Sequence, residues 1–192
     1  MKGTIQNIIA KSIAVKTALL NDETTIKQIE TVAEKMIESY KSGNKTMFAG
    51  NGGSAADAQH LAAELVNRFC FDHIGLPAIA LSTDSSIVTS IANDYGYDVL
   101  FSRQIAAQGK NGDIFIGIST SGNSENIIKA IQTCKERNIF TVGFTGEKGG
   151  KMASMCDICI CVPSTETARI QESHIMIGHI LCGLVENAIF KQ

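Results

Sequence analysis

The chain has no tryptophan, only 2 prolines among its 192 residues and 6% aromatic residues, yet 44% of it is hydrophobic. That is too apolar for a disordered segment, and the length fits one ordinary domain of roughly 100–200 residues. Neither sign of charge is in excess, with 17 Lys plus Arg against 19 Asp plus Glu. Without clustered basic residues no counterion-displacing surface is expected, which excludes nucleic acid and favours a small-molecule partner. No apolar run approaches the roughly 20 residues that cross a bilayer. Lys11 and Lys16 interrupt the stretch from Thr4 to Leu20 before it can serve as a signal-peptide core. No membrane is therefore expected as a partner, and the location reads as cytoplasmic. The 6 cysteines lack a disulfide pattern, and a chain of this size buries a core without such staples. Cys156, Cys159 and Cys161 have no second Cys pair or Cys/His pair to complete a metal site. Cys159 and Cys161 alternate with Ile158, Ile160 and Val162 and read as buried strand residues. Cys70, Cys134 and Cys182 read as core cysteines too.

Ile5, Ile8, Ile9, Ile13, Leu19 and Leu20 recur at helical spacing, and Ile26, Ile29, Val32, Ala33, Met36 and Ile37 repeat it after Asn21-Asp22-Glu23. Two amphipathic helices thus lead the chain. From residue 45 short apolar runs follow: Thr46 to Ala49, Ala78 to Leu81, Asp113 to Ile118, Phe140 to Thr145 and Ile158 to Val162. Helical patterns separate them, notably Ala55 to Asn67, Ser124 to Arg137 and a last one from about Ala168 to Phe190. Strands alternating with helices predict an α/β fold, a mainly parallel sheet of five strands covered on both faces. Residues 1–42 form the leading helices and 43–192 the sheet core of one domain. In such sheets ligands sit beyond the carboxyl ends of the strands, where loops feed helix N-termini.

Two of those loops are rich in donors. Ser119-Thr120-Ser121-Gly122-Asn123-Ser124-Glu125 precedes a helix with four hydroxyls and a glycine, a set suited to phosphate without Lys or Arg. A helix cap needs one such residue rather than four. Gly50-Asn51-Gly52-Gly53-Ser54 follows the first strand; it is neither a Walker loop nor a GxGxxG fingerprint, so nucleotide is disfavoured. Along the next helix Asp57, His60 and Glu64 share one face at steps of three and four. The last helix carries Arg169, Gln171, Glu172, His174, His179 and Glu186 among apolar neighbours, where polar groups need partners. His60, Glu64, Gln171 and His179 would suit a divalent metal such as zinc. A solvated helix pair and a hydrogen-bonded core histidine are the plainer readings of the same residues. Gln171 and His179 stand about 12 Å apart along the helix axis, so their side chains lean together or a neighbouring subunit completes the set.

Asn51-Gly52-Gly53-Ser54 with His60 and Glu64, Asn93-Asp94, the serine loop, and Arg169-Ile170-Gln171-Glu172 with His174 and His179 together resemble the phosphoheptose isomerase (sedoheptulose 7-phosphate isomerase) family of the sugar-isomerase (SIS) fold. The resemblance covers nearly the whole chain. It implies a three-layer αβα sandwich, flavodoxin-like but nucleotide-free, with two N-terminal helices. It also implies a cytoplasmic homotetramer that converts sedoheptulose 7-phosphate to D-glycero-D-manno-heptose 7-phosphate, the first step toward ADP- or GDP-heptose for bacterial surface polysaccharide. By the same resemblance Ser119, Thr120, Ser121 and Ser124 hold the phosphate, and Asn51, Gly52, Gly53, Asn93 and Asp94 contact the sugar. His60, Glu64, Gln171 and His179 bind one zinc per subunit, Glu64 and His179 are the base and acid, and Ser54 and Arg68 are secondary contacts. Glu64 and Gln171 count among the substrate contacts as well. The competing reading is a non-catalytic SIS-fold tetramer that binds the replication initiator protein. The pattern associated with it lacks the carboxylate matching Glu64 and the imidazole matching His179, both of which are present here.

Overall fold

The computed structural model describes residues 1–191. Its five strands are β1 (Thr46–Gly50), β2 (Ala78–Ala80), β3 (Ile114–Ile118), β4 (Phe140–Gly146) and β5 (Ile158–Val162), all parallel, in the order β2-β1-β3-β4-β5. Every residue of β1 and β3 is buried, as expected of central parallel strands with helices on both faces. On one face Phe48, Ile116 and Phe144 meet α2 (Glu23–Lys41), α3 (Gly53–Val66) and α8 (Thr167–Phe190). On the other, Met47, Ala49 and Phe115 meet α4 (Ser85–Tyr95), α5 (Leu100–Gln108), α6 (Glu125–Glu136) and the short α7 (Met152–Met155). The expected strands lie within a residue or two of those observed. Cys159 and Cys161, expected to be buried, are only partly so, because four-residue α7 is all that covers the edge strand β5 on that side, and Cys70, also read as a core cysteine, is exposed in the irregular segment after α3.

The leading helix α1 (Lys2–Leu20) forms where its apolar spacing placed it. Most of its apolar residues stay out of the core: Ile5, Ile8, Ile9 and Ile13 are 47–60% exposed and only Leu19 is buried. The stripe that docks is mixed, with Ser12, Val15 and Lys16 half-buried ahead of Leu19. Ser12 donates to Glu172 at 2.7 Å, Lys11 reaches Glu166 at 2.6 Å, and the guanidinium of Arg169 donates to the Ile8 carbonyl at 2.9 Å. Half-exposed ion pairs of this kind are worth at most about 1 kcal/mol each, so α1 is held lightly and presents its isoleucines outward.

Among the described residues α8 is the one helix long and apolar enough to cross a membrane, where no apolar run of that length was expected. Its setting explains the composition: it packs against α2 and α3 and buries Arg169, Ser173, His174 and Glu186 inside the chain. His174 is fully buried and donates from Nε2 to the Thr145 carbonyl at 3.0 Å, while Nδ1 has no partner. Burial pushes its pKa down from 6.5 to about 4, against the opposing pull of that carbonyl. Between those two values the unfolded chain binds the extra proton, so folding stability falls as pH drops through the window and the loss is complete below it. The shift corresponds to roughly 3 kcal/mol. Urea unfolding between about pH 7 and pH 4 checks this: the wild-type advantage over His174→Gln shrinks by about that amount.

Candidate functional site

The sheet topology gathers the donor-rich segments at the carboxyl ends of β1 and β3. Gly122 takes φ +66° and folds the serine loop back on itself. Ser119 Oγ then lies 2.8 Å from Ser124 Oγ and 3.4 Å from Ser121 Oγ. Ser124 occupies the N-cap of α6 but its side chain makes no cap bond, so the hydroxyls are not consumed in capping. They converge ahead of the positive end of the α6 dipole, an arrangement that offers several donors to one anion. Thr120, Ser121 and Asn123 form one wall of a polar cleft of about 280 Å³ whose other wall holds Lys148, Ser164 and Thr165.

The glycine loop is tied to this assembly by residues that local spacing did not reveal. Asn51 and Asn126 exchange amide hydrogen bonds at 3.0 and 2.9 Å, and the Tyr97 hydroxyl donates to Asn51 Oδ1 at 3.0 Å. The available signal was a buried asparagine beside Ile127 and Ile128 on the inner face of α6. Ser54 is buried in the first turn of α3. Gly53 lets the Gln171 side chain approach: a Cβ there would stand 2.6 Å from its amide nitrogen. Asn93 donates to Asp94 at 2.8 Å on the exposed end of α4, and Arg68 is exposed just beyond α3.

Farther along α3 three donors of one chain converge. His60 Nε2 lies 3.0 Å from Glu64 Oε1 and 3.2 Å from His179 Nε2, and all three ligand atoms fall within 4.8 Å of one another. Zinc bonds of about 2.0–2.2 Å at tetrahedral angles separate neighbouring donors by about 3.4 Å. Two imidazole nitrogens and a carboxylate at the observed spacing therefore fit a divalent metal. Gln171 lies two helical turns away, at the glycine-loop end of α3. One turn before His60, Asp57 is half-buried with Oδ2 unpartnered; burial pushes its carboxyl above the ordinary range, against the pull of His60 and His179. Beside the trio opens an apolar groove of about 580 Å³ lined by Phe69, Ile175, Met176, Ile180 and Leu184. Its lining does not suit a polyol, which needs hydrogen-bond partners.

Residues 11–146 match the sequence profile of the SIS domain. The chain is 63% identical to the phosphoheptose isomerase of Aneurinibacillus thermoaerophilus over 191 residues, covering 100% of this chain and 96% of that protein. It is 57% identical to phosphoheptose isomerase 2 of Campylobacter jejuni over 190 residues, or 99% and 94% of the two chains. The solved phosphoheptose isomerase of Neisseria gonorrhoeae superposes with a TM-score of 0.91 at 40% identity, covering 97% and 98% of the two chains. Matched by the SIS profile over most of its length, and by these relatives at 40–63% identity over nearly the whole of both chains, the chain belongs to the phosphoheptose isomerase family of SIS-domain proteins.

Proposed function

We propose that this protein isomerises sedoheptulose 7-phosphate to D-glycero-D-manno-heptose 7-phosphate in the cytoplasm, as the first step of an activated-heptose route. The observation that carries the reading is the convergence of His60, Glu64 and His179 on a sheet whose adjoining loop offers hydroxyls to a phosphate. Moving the carbonyl from C2 to C1 requires loss of a proton from C1, proton exchange between the two oxygens, and delivery of a proton to C2. Glu64 takes the proton from C1 and, after exchange with solvent, delivers a proton to C2, and His179 serves the oxygens. Ser119, Thr120, Ser121 and Ser124 hold the phosphate and, with Asn51, Gly52, Gly53, Ser54, Asn93, Asp94 and Gln171, orient the reacting carbons. His60 lies seven residues beyond Gly53, about 10 Å along the axis, a span comparable with an extended seven-carbon sugar phosphate. Arg68 is a secondary contact.

His60, Glu64 and His179, with Gln171 as a fourth donor, would hold one zinc per subunit. Bound there, zinc would supply positive charge to the substrate oxygens as the enediolate develops. Chelation is expected to lower turnover by about 100-fold, several kcal/mol of lost charge stabilisation, and added zinc to restore it. Coupled-assay rates with and without chelator measure this, and full activity in metal-free protein would remove zinc from the account. The initiator-binding alternative predicts no turnover under either condition. We also propose a homotetramer, with residues 1–42 supplying subunit contacts. The exposed isoleucines of α1 and the apolar groove beside His179 support it, since contiguous apolar surface of this kind marks protein contacts.

A further inference from the structure

Glu186 has a setting that the proposed chemistry does not use. It lies seven residues beyond His179 on α8, is 1% exposed, and carries a carboxylate into the apolar side of the core. Burying such a group is costly unless hydrogen bonds satisfy it. Its partners all come from the irregular segment 67–77 that joins α3 to β2. The Phe69 N–H donates at 2.7 Å, the Cys70 N–H at 2.9 Å, and His73 Nε2 stands at 2.9 Å. Burial opposes the charge, yet these donors outweigh it and hold the Glu186 carboxyl below its ordinary range. His73 is itself locked. Its Nδ1 faces the Ile74 carbonyl at 2.7 Å, and its ring stacks on Phe190 with centroids 4.1 Å apart and planes 15° apart.

The segment so clasped delivers Phe69 to the site. Its ring centroid lies 5.5 Å from that of His179, and it sits over Gly183, where a Cβ would come 3.3 Å from Phe69 Cε1. His179 is bounded by His60 on one side, centroids 5.0 Å apart, and by Phe69 on the other. Without Phe69 that second side opens onto the apolar groove and the imidazole gains rotamers that turn Nε2 away from His60 and Glu64.

We infer that His73 and Glu186 are positioning residues: through the 67–77 segment they hold Phe69 against His179 and fix the direction of its imidazole. The inference rests on the isomerase reading, and its test is separable from that reading. The full-length protein with His73→Ala, His73→Gln or Phe69→Leu is assayed on sedoheptulose 7-phosphate, and the imidazole C–H signals of its histidines, 4 in the wild type, are recorded by NMR. His73→Ala and Phe69→Leu are expected to lower kcat by about tenfold or more with KM within about twofold, since small misplacements of reacting groups cost rate rather than binding. Both shift the His179 signals, which lie in the Phe69 ring current. His73→Gln, whose amide can still donate to Glu186, recovers most of kcat. Should His73→Ala not fold, Phe69→Leu decides, because it leaves the clasp untouched. Folded Phe69→Leu or folded His73→Ala with unchanged kcat overturns the inference, whereas a wild-type protein inactive on this substrate overturns the isomerase reading instead.

Discussion

Glu64→Gln yields a folded protein whose kcat is lower by about 10²- to 10⁴-fold, the range that a positioned base contributes. The side chain lies on the surface of α3 with 26% of its area exposed, and its one ion pair is to His60 at 3.0 Å. Losing a pair that open to solvent costs at most about 1 kcal/mol, so the melting temperature moves by no more than a few degrees. Glutamine keeps the shape and can still accept one hydrogen bond, but it cannot take a proton from carbon. Stability and turnover thus separate in this variant. Thermal melts and initial rates on the same preparation read both quantities. Near-normal turnover would leave the family role of Glu64 without support in this chain.

Gly122→Ala is expected to fail in a different way, through binding and stability together. At φ +66° an alanine pays about 1–2 kcal/mol for the left-handed backbone alone. The added Cβ also collides with the carbonyl oxygen of Gly149 and crowds Gly150. Those contacts are backbone, and they sit in a turn locked by Gly150 N–H to Lys148 O and Met152 N–H to Gly122 O, so relief requires moving the serine loop itself. Displaced hydroxyls no longer meet at one point, and KM for the sugar phosphate rises by more than about tenfold, with a stability loss of about 2–4 kcal/mol. Gly43→Ala is the control. Gly43 has φ +73° and no atom within 4 Å of the new Cβ, so the change costs only the backbone preference and leaves KM alone. Urea titrations and substrate saturation curves on the two variants distinguish a strained loop from a general glycine effect.

The five strands were legible because a parallel sheet covered on both faces writes each strand as a short continuous apolar run. β3 reads Ile-Phe-Ile-Gly-Ile and every residue is buried. α4 and α5 were not read from the sequence. They hold 11 and 9 residues and are separated by a glycine at φ +96° and a single turn of 3-10 helix, which leaves too short a window for a helical period to stand out. In α1 the helical period was legible, but what covers its apolar residues was not. Apolar spacing states that a face will be buried, without stating whether the same chain or another molecule covers it.

The site divides along the same line. His60 and Glu64, four residues apart, were a readable pair. That His179 joins them across 119 residues of sequence was one open reading of the residues and was singled out by family resemblance, since no local period carries such a contact. Asn126 with Asn51 and His73 with Glu186 are likewise remote, 75 and 113 residues apart, and only the fold unites them. The buried Glu186 did announce itself as a polar group in need of partners, though its partners could not be named.

Turnover of sedoheptulose 7-phosphate in deuterium oxide by the wild-type protein and by Glu64→Gln, with the aldose product analysed for label, tests most directly whether α3 supplies the base. The expected result is deuterium on C2 of the heptose from the wild type, with neither product nor label above background from the variant. Labelled heptose formed by Glu64→Gln at the wild-type rate would contradict the assignment, because the proton would then be travelling through some other group.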